Sequence, residues 1–308
     1  MKRLIPYIAV VTAMLIWAGA GIAVKEALVV FSPLTLIVLR FTLAVLLMLV
    51  VGLIFRSNEI LGLQRIAKRD IPLFLLGGLF QPFLYFIFET YTYQSFASPT
   101  IAEAMLSTQP VLAPVFAFLL LRERVTRNNI VGILLSTIGM LMLLLVGADS
   151  YAMGNSWGVL LAVVTVSMSV SYSVILRRIP TCYSSLSIVF YVQSFSLILF
   201  YVVWMIMGEA STLFYNAAQL VQNTTQFLHS GAAVLYLAVF ASIAAFVLFC
   251  YTVREIGVTR ANVFNNVRPV FTALLMWLIF DEVLPIWKLI GIIIIIIGLF
   301  ISQKVGKR

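Results

Sequence analysis

Long apolar runs separated by short basic segments constrain this chain more than any other feature. Ten runs are marked off by charges and turn residues, and each is close to the about 20 residues that a helix needs to cross a bilayer. They lie at residues 6–27, 33–55, 71–91, 99–121, 126–147, 157–176, 184–207, 230–252, 259–280 and 286–303. Of the 308 residues, 63% are hydrophobic and only 10% are charged, which excludes an ordinary soluble domain. The sequence predicts an all-α membrane protein with ten transmembrane helices.

The number of lysines and arginines alternates sharply between successive connections of the apolar runs. Sixteen of the 20 lysines and arginines lie at the chain ends or in every second connection. Lys25 and Lys288 belong to the opposite set, and Arg40 and Arg268 lie inside runs. Because cytoplasmic loops carry the excess of Lys and Arg, we expect both termini in the cytoplasm. The formal net charge of +9 is explained by this topology, so no nucleic-acid partner is expected.

The second half of the chain repeats the first. Residues Thr100–Gly139 align without a gap on Thr259–Gly298, 159 positions later, and ten of the forty pairs are identical. Each half therefore contains five helices, at residues 1–148 and 149–308. Because five is an odd number, the two halves have opposite orientations in the membrane. This inverted repeat is common among secondary transporters.

The starts of the two halves align with a slightly different offset. An offset of 151 places Pro33–Arg40 over Ser184–Tyr191. The change from 151 to 159 predicts about eight extra residues between the seventh and eighth runs. They belong to the external connection Gly208–His229, which is the longest one.

Several motifs, in this order, resemble the drug/metabolite transporter superfamily in its EamA-type ten-helix branch. They are Trp17-Ala18-Gly19, SPLTLIVLRF at Ser32–Phe41, QPVLAPVFAFLLLRERVT at Gln109–Thr126, and RPVFTALLMWLIFDE from Arg268 to Glu282. The resemblance covers nearly the whole chain and departs at Asp281-Glu282, where the family often has glycine–glutamate. It implies a central cavity formed by helices one, three, four, six, eight and nine. It also implies export or exchange of small metabolites, amino acids among them.

Polar residues in the ninth run are the first candidates for substrate binding. Arg268 lies roughly 13 Å from the start of this run, close to the bilayer midplane. A charge there is costly unless it faces protein, water or a partner. Arg268 either binds a substrate carboxylate or pairs permanently with a glutamate and locks two helices. Asn262 and Asn266, one turn apart, either contact substrate or join helices by hydrogen bonds.

The third and fourth runs supply further candidates. Glu103 and Ser107 occupy the positions that correspond to the two asparagines. Glu103 either binds a substrate amine or a proton, or belongs to a capping box at the start of the fourth helix. Gln81, Tyr85 and Glu89 follow one another at intervals of four residues, so they share one helix face and predict a cavity wall. Glu89 and Glu103 are the candidates for proton coupling.

The first and sixth runs complete the predicted binding site. Trp17 lies near the middle of its run, and Ser169 and Tyr172 are placed similarly, although serine often only lets helices approach. Arg40 lies about 10 Å into the second helix, where we expect it to snorkel or to pair structurally. Glycines spaced seven residues apart predict close packing of the fifth and tenth helices. They are Gly132, Gly139, Gly291 and Gly298.

The sequence contains no motif that predicts catalysis. It has no Walker loop, zinc-ligand spacing or nucleophile–histidine arrangement, so we expect neither an enzyme, nor a cofactor, nor a metal site. The leading interpretation is a secondary transporter in a bacterial inner membrane, working as a monomer or weak homodimer. Its expected partners are a small-molecule substrate and the lipid bilayer, and protons are the candidate coupling ion. An exporter of drugs or other organic solutes, or a membrane receptor or channel, is the alternative.

Overall fold

The computed structural model describes residues 4–95, 105–145, 156–209, 224–280 and 285–303, and within these ranges all regular structure is helical. The α-helices of these ranges are α1 (Ile5–Leu28), α2 (Pro33–Ile54), α3 (Ile71–Gly78), α4 (Tyr85–Ser95), α5 (Gln109–Leu121), α6 (Arg127–Leu145), α7 (Ser156–Arg178), α8 (Ser185–Ile206), α9 (Thr224–Tyr236), α10 (Ala245–Ile256), α11 (Val258–Val263), α12 (Arg268–Phe280) and α13 (Ile286–Gln303).

Seven helical stretches of the described residues are long and apolar enough to cross a membrane. They are Ile5–Leu28, Pro33–Ile54, Lys68–Thr92, Trp157–Arg178, Ser185–Ile206, Leu228–Ile256 and Ile286–Gln303. Large apolar side chains such as Leu53, Phe118 and Phe300 are exposed on the outside of the helices, as expected for a lipid-facing surface. The fourth, fifth and ninth predicted runs contain the helices α5, α6 and α11–α12, respectively. For these three runs, the membrane crossing stays a prediction.

Helices α2 and α8 begin at matching serine caps. The Ser32 hydroxyl accepts a hydrogen bond from the Thr35 backbone N–H at 3.3 Å, and the Ser184 hydroxyl accepts one from Ser187 at 3.2 Å. Such a cap fixes where a helix starts. The two starts lie 152 residues apart, so the predicted offset of 151 was wrong by one. Aligning apolar residues alone could not fix the register, because many neighbouring side chains are alike.

Helices α6 and α13 pack with their backbones in contact. A Cβ atom on Gly132 would lie 2.5 Å from the Gly298 carbonyl oxygen, and one on Gly139 would lie 2.7 Å from the Gly291 carbonyl oxygen. Neither position has room for a methyl group. The close packing that the glycine spacing predicted for the fifth and tenth helices is confirmed.

Two membrane stretches are interrupted by π-helical turns at corresponding positions of the two halves. Leu79–Leu84 separates α3 from α4, and Leu237–Ala244 separates α9 from α10. Inside the first turn, Gln81 has extended backbone angles of φ −149° and ψ 123°. The regular helical spacing used to predict one face therefore holds from Tyr85 to Glu89 but does not include Gln81. Pro82, which has no backbone N–H to donate, follows directly after Gln81.

Side chains from neighbouring helices bind the backbone carbonyls around these turns. The Ser196 hydroxyl donates to the Gly78 carbonyl oxygen at 2.7 Å, and the Gln193 amide donates to the Ser242 carbonyl oxygen at 2.5 Å. Lipid cannot satisfy a carbonyl that the helix leaves unpaired. The π-helical turns are therefore part of the packed interior, which is where such turns often mark functional sites.

Candidate functional site

Arg40 is a buried cation that contacts the π-helical turn of the second half. It lies on α2 with 5% of its surface exposed, and its Nε donates to the Ser242 hydroxyl at 3.1 Å. The guanidinium carbon lies 5.0 Å from the centre of the Phe41 ring and 4.9 Å from that of Phe86. Both distances suit cation–π attraction. Arg40 does not snorkel to the membrane surface, which corrects one of the two roles that the sequence suggested.

Tyr85 and Glu89 on α4 place a carboxylate near this cation. The Tyr85 hydroxyl donates to Glu89 Oε1 at 2.8 Å, and both residues interact electrostatically with Arg40. We call Arg40, Tyr85, Glu89 and Ser242 the central polar cluster. Charges that interact inside a membrane protein commonly belong to a substrate or ion pathway.

Trp17 and Tyr172 meet in an aromatic cluster with Phe246 and Phe249. The Trp17 ring centre lies 5.3 Å from that of Phe246 and 5.4 Å from that of Phe249, and Tyr172 lies 6.3 Å from Phe246. Tyr172 is 1% exposed, and its hydroxyl has no hydrogen-bond partner among the described residues. Ser169 is also buried, one turn before Ser173, whose hydroxyl donates to the Ser169 carbonyl oxygen.

The two clusters meet at consecutive residues of the π-helical turn. The Trp17 indole N–H donates to the Ala241 carbonyl oxygen at 3.0 Å, and Arg40 binds the next residue, Ser242. The structure thus brings together four of the predicted site residues, Trp17, Tyr85, Glu89 and Tyr172, around this turn. It adds Arg40, which the sequence analysis had left out of the site.

The asparagines of the ninth run lie in a different environment. The Asn262 amide donates to the Val258 carbonyl oxygen of its own helix at 2.9 Å. The Asn266 amide donates to the Ser136 hydroxyl on α6 at 2.8 Å, while its Oδ1 is buried without a protein partner among the described residues. The Asn266 contact is a hydrogen bond of the kind expected if this residue joins helices. A role of either residue in substrate binding stays a prediction.

Arg268, Ser107, Gln81 and Glu103 are the remaining predicted residues. Arg268 is half-buried and begins α12, directly after a 3₁₀ turn at Phe264–Val267 that breaks the ninth run. Ser107 and Gln81 are buried. Glu103 lies outside the described residues, and so does the capping box predicted for it.

Glu123 makes a contact between the halves that the sequence analysis missed. One carboxylate oxygen accepts the Val258 backbone N–H at 3.1 Å, and the other accepts the Thr259 backbone N–H at 3.4 Å. Glu123 follows α5, and these two residues begin α11 directly after Gly257, whose φ is +90°. The carboxylate therefore caps a helix of the other half.

Apolar outer faces, broken helices and buried charges together define a multi-pass membrane protein with a polar interior. The sequence profile of the EamA-like transporter family matches residues 4–145 and again residues 156–303. The chain belongs to this family, which is part of the drug/metabolite transporter superfamily, and is a membrane-embedded transporter.

Individual relatives agree with the family match. The chain is 27% identical over 310 residues to the uncharacterized transporter YetK of Bacillus subtilis, covering 100% of this chain and 89% of the relative. It is 22% identical over 288 residues to an uncharacterized transporter of Archaeoglobus fulgidus, covering 94% and 95%. A solved structure titled "Crystal structure of protein" superposes with a TM-score of 0.67 at 22% identity, covering 97% of this chain and 95% of that chain. The likeness to that structure supports the fold.

Proposed function

We propose that this protein is a non-enzymatic secondary transporter that exports or exchanges small polar metabolites such as amino acids. The observation that carries the proposal is the central polar cluster, because a buried arginine interacts with a half-buried glutamate inside an apolar helix bundle. Charges of this kind are expensive for a protein that only needs to fold in a membrane. A bacterial inner membrane is the proposed location, and protons are the proposed coupling ion.

Reciprocal contacts support ten membrane helices arranged as two inverted repeats. In the register offset by 159, Gly132 corresponds to Gly291 and Gly139 to Gly298. The contact of Gly132 with Gly298 thus maps onto the contact of Gly139 with Gly291. Such exchange of partners is the signature of a two-fold axis. The two π-helical turns and the two family matches point to the same division, at residues 1–148 and 149–308.

The proposed mechanism is alternating access around a central cavity, with both termini in the cytoplasm. The two halves would rock about a fixed site near the middle of the membrane, as in other transporters built from inverted repeats. The predicted substrate-binding residues are retained in this proposal. They are Trp17, Gln81, Tyr85, Glu89, Glu103, Ser107, Ser169, Tyr172, Asn262, Asn266 and Arg268.

An exporter of larger organic solutes is the second candidate. The aromatic cluster favours it, because the rings of Trp17, Tyr172, Phe246 and Phe249 offer an apolar surface beside the polar cluster. Aromatic faces bind organic cations and apolar ligand groups. The first candidate requires a substrate that is both small and polar. The second accepts larger organic solutes.

Counterflow in proteoliposomes tests the proposal. The purified full chain is reconstituted with a panel of amino acids and organic cations, with and without a pH gradient. A secondary transporter gives saturable uptake, and an internal pool of substrate accelerates the uptake of labelled substrate. Flux that rises linearly with concentration and shows no counterflow contradicts the proposal and points to a channel.

A further inference from the structure

The guanidinium of Arg40 contacts two aromatic rings and one hydroxyl group. Phe41 and Phe86 lie within cation–π distance of the guanidinium carbon, and Nε binds the neutral hydroxyl of Ser242. Among the described residues, Nε is the guanidinium nitrogen that has a protein hydrogen-bond acceptor. A guanidinium carries five N–H donors in a planar fork that matches a carboxylate. The unused part of this fork is suited to a carboxylate group.

Glu89 gives the same cluster a negative end. Its carboxylate accepts the Tyr85 hydroxyl and interacts with the charge of Arg40, whose guanidinium carbon lies 4.9 Å from the ring centre of Phe86 on the same helix α4. Each charge is therefore supported by a hydroxyl group, Ser242 for the cation and Tyr85 for the anion. An arginine and a carboxylate held in this way form a fixed dipole inside the membrane.

A fixed dipole selects ligands by charge. A simple anion that approaches Arg40 is repelled by Glu89, and a simple cation that approaches Glu89 is repelled by Arg40. A ligand with both charges is attracted at both ends, and repulsion of the wrong ligands adds to its specificity. The central polar cluster therefore matches a small zwitterion.

We infer that Arg40 binds the carboxylate and Glu89 the ammonium group of a zwitterionic substrate. This inference rests on the proposed transport function and names the substrate class of that site. It differs from the prediction that Arg268 holds the carboxylate. Because Arg40 belongs to the first half and Ser242 to the second, the bound carboxylate would sit where the halves meet.

Thermal unfolding of the full chain in detergent, followed by tryptophan fluorescence, measures binding without transport. Each of the standard amino acids is added singly to the wild type. The best stabiliser is then compared with its amide, which lacks the carboxylate charge, and with its desamino acid, which lacks the ammonium. We expect each analogue to bind about tenfold more weakly or worse, a difference of about 1.4 kcal/mol.

Variants assign the two charges to residues. We expect the stabilisation to be lost in the double variant Arg40→Gln/Glu89→Gln, which leaves neither charge buried alone and should fold. The matched control is Arg69→Gln, which removes a guanidinium whose side chain is 85% exposed, and it should behave as the wild type.

Three results would overturn the inference. They are the absence of stabilisation of the wild type by any amino acid, equal binding of acid, amide and desamino acid, and retained binding in the double variant. The analogue comparison uses only the wild type, so it decides even if the double variant does not fold. Binding without counterflow would contradict the transport function but leave this assignment standing.

Discussion

Two arginines lie inside predicted membrane runs, and depth alone did not reveal what each does. The sequence places Arg268 close to the midplane, and it predicts that Arg40 snorkels or pairs structurally. In the structure, α4 and the second π-helical turn surround Arg40 with aromatic rings, a hydroxyl and a carboxylate. The sequence shows that a charge is present in a run. The residues that surround this charge belong to distant segments of the chain. The periodicity of a single helix cannot predict them.

Ser136→Ala tests at the residue scale whether Asn266 joins helices. The change removes the hydroxyl that accepts from the Asn266 amide at 2.8 Å, and leaves that buried amide without this acceptor. Hydrogen bonds between membrane helices contribute about 1 kcal/mol, so we expect a melting temperature lower by about 2 °C. Substrate affinity should be unchanged. Thermal unfolding and ligand titration of the purified protein measure both quantities.

The control for this change is Ser167→Ala. Ser167 is half-buried, and its hydroxyl makes a solvent-exposed hydrogen bond to the Val163 carbonyl of its own helix, so its removal should leave the melting temperature unaltered. A Ser136→Ala protein with normal stability and weakened substrate binding would instead show that Ser136 positions Asn266 for the substrate and does not join the helices.

The close packing of α6 on α13 was marked in the sequence, because glycine spacing is a local signal that depends on residues a few positions apart. The structure confirms this packing. The π-helical turns carried no such signal. A π-helical turn leaves backbone carbonyls that need hydrogen-bond donors from outside the helix. Here the donors are the side chains of Trp17, Gln193 and Ser196, which lie on other helices.

Gly132→Ala tests the packing of α6 on α13 at the element scale. A Cβ at this position would clash with the backbone nitrogen of Ser302 and lie 2.5 Å from the Gly298 carbonyl oxygen, so the two backbones must separate. Overpacking of this kind costs about 1–3 kcal/mol, and we expect a lower melting temperature and lower yield in the membrane.

Gly21→Ala is the matched control, because nothing lies within 4 Å of a Cβ built on that helical glycine. It should leave the melting temperature equal or slightly raised, since alanine favours a helix over glycine. Equal stability of both variants would show that the α6–α13 contact is looser than the glycine distances indicate.

At the scale of the whole molecule, orientation follows from charge while the fold follows from hydrophobicity. The composition and spacing of the apolar runs were enough to predict an all-helical membrane protein, and the family match agrees. The direction in which each helix crosses depends on Lys and Arg in the connections. No contact inside the bundle reports on that direction, so topology needs a measurement made from each side of the membrane.

The two native cysteines make that measurement direct. Cys182, between α7 and α8, is exposed, whereas Cys250 is buried. Because Arg177 and Arg178 precede Cys182, we expect a membrane-impermeant maleimide to label it in inside-out vesicles and to spare it in intact cells. The reverse pattern is expected for Val29→Cys in a Cys182→Ser background. Val29 is exposed and follows the C-terminal end of α1, which we expect on the external side of the membrane. Labelling of Cys182 in intact cells, together with protection of position 29, would invert the whole topology and require both termini to lie outside.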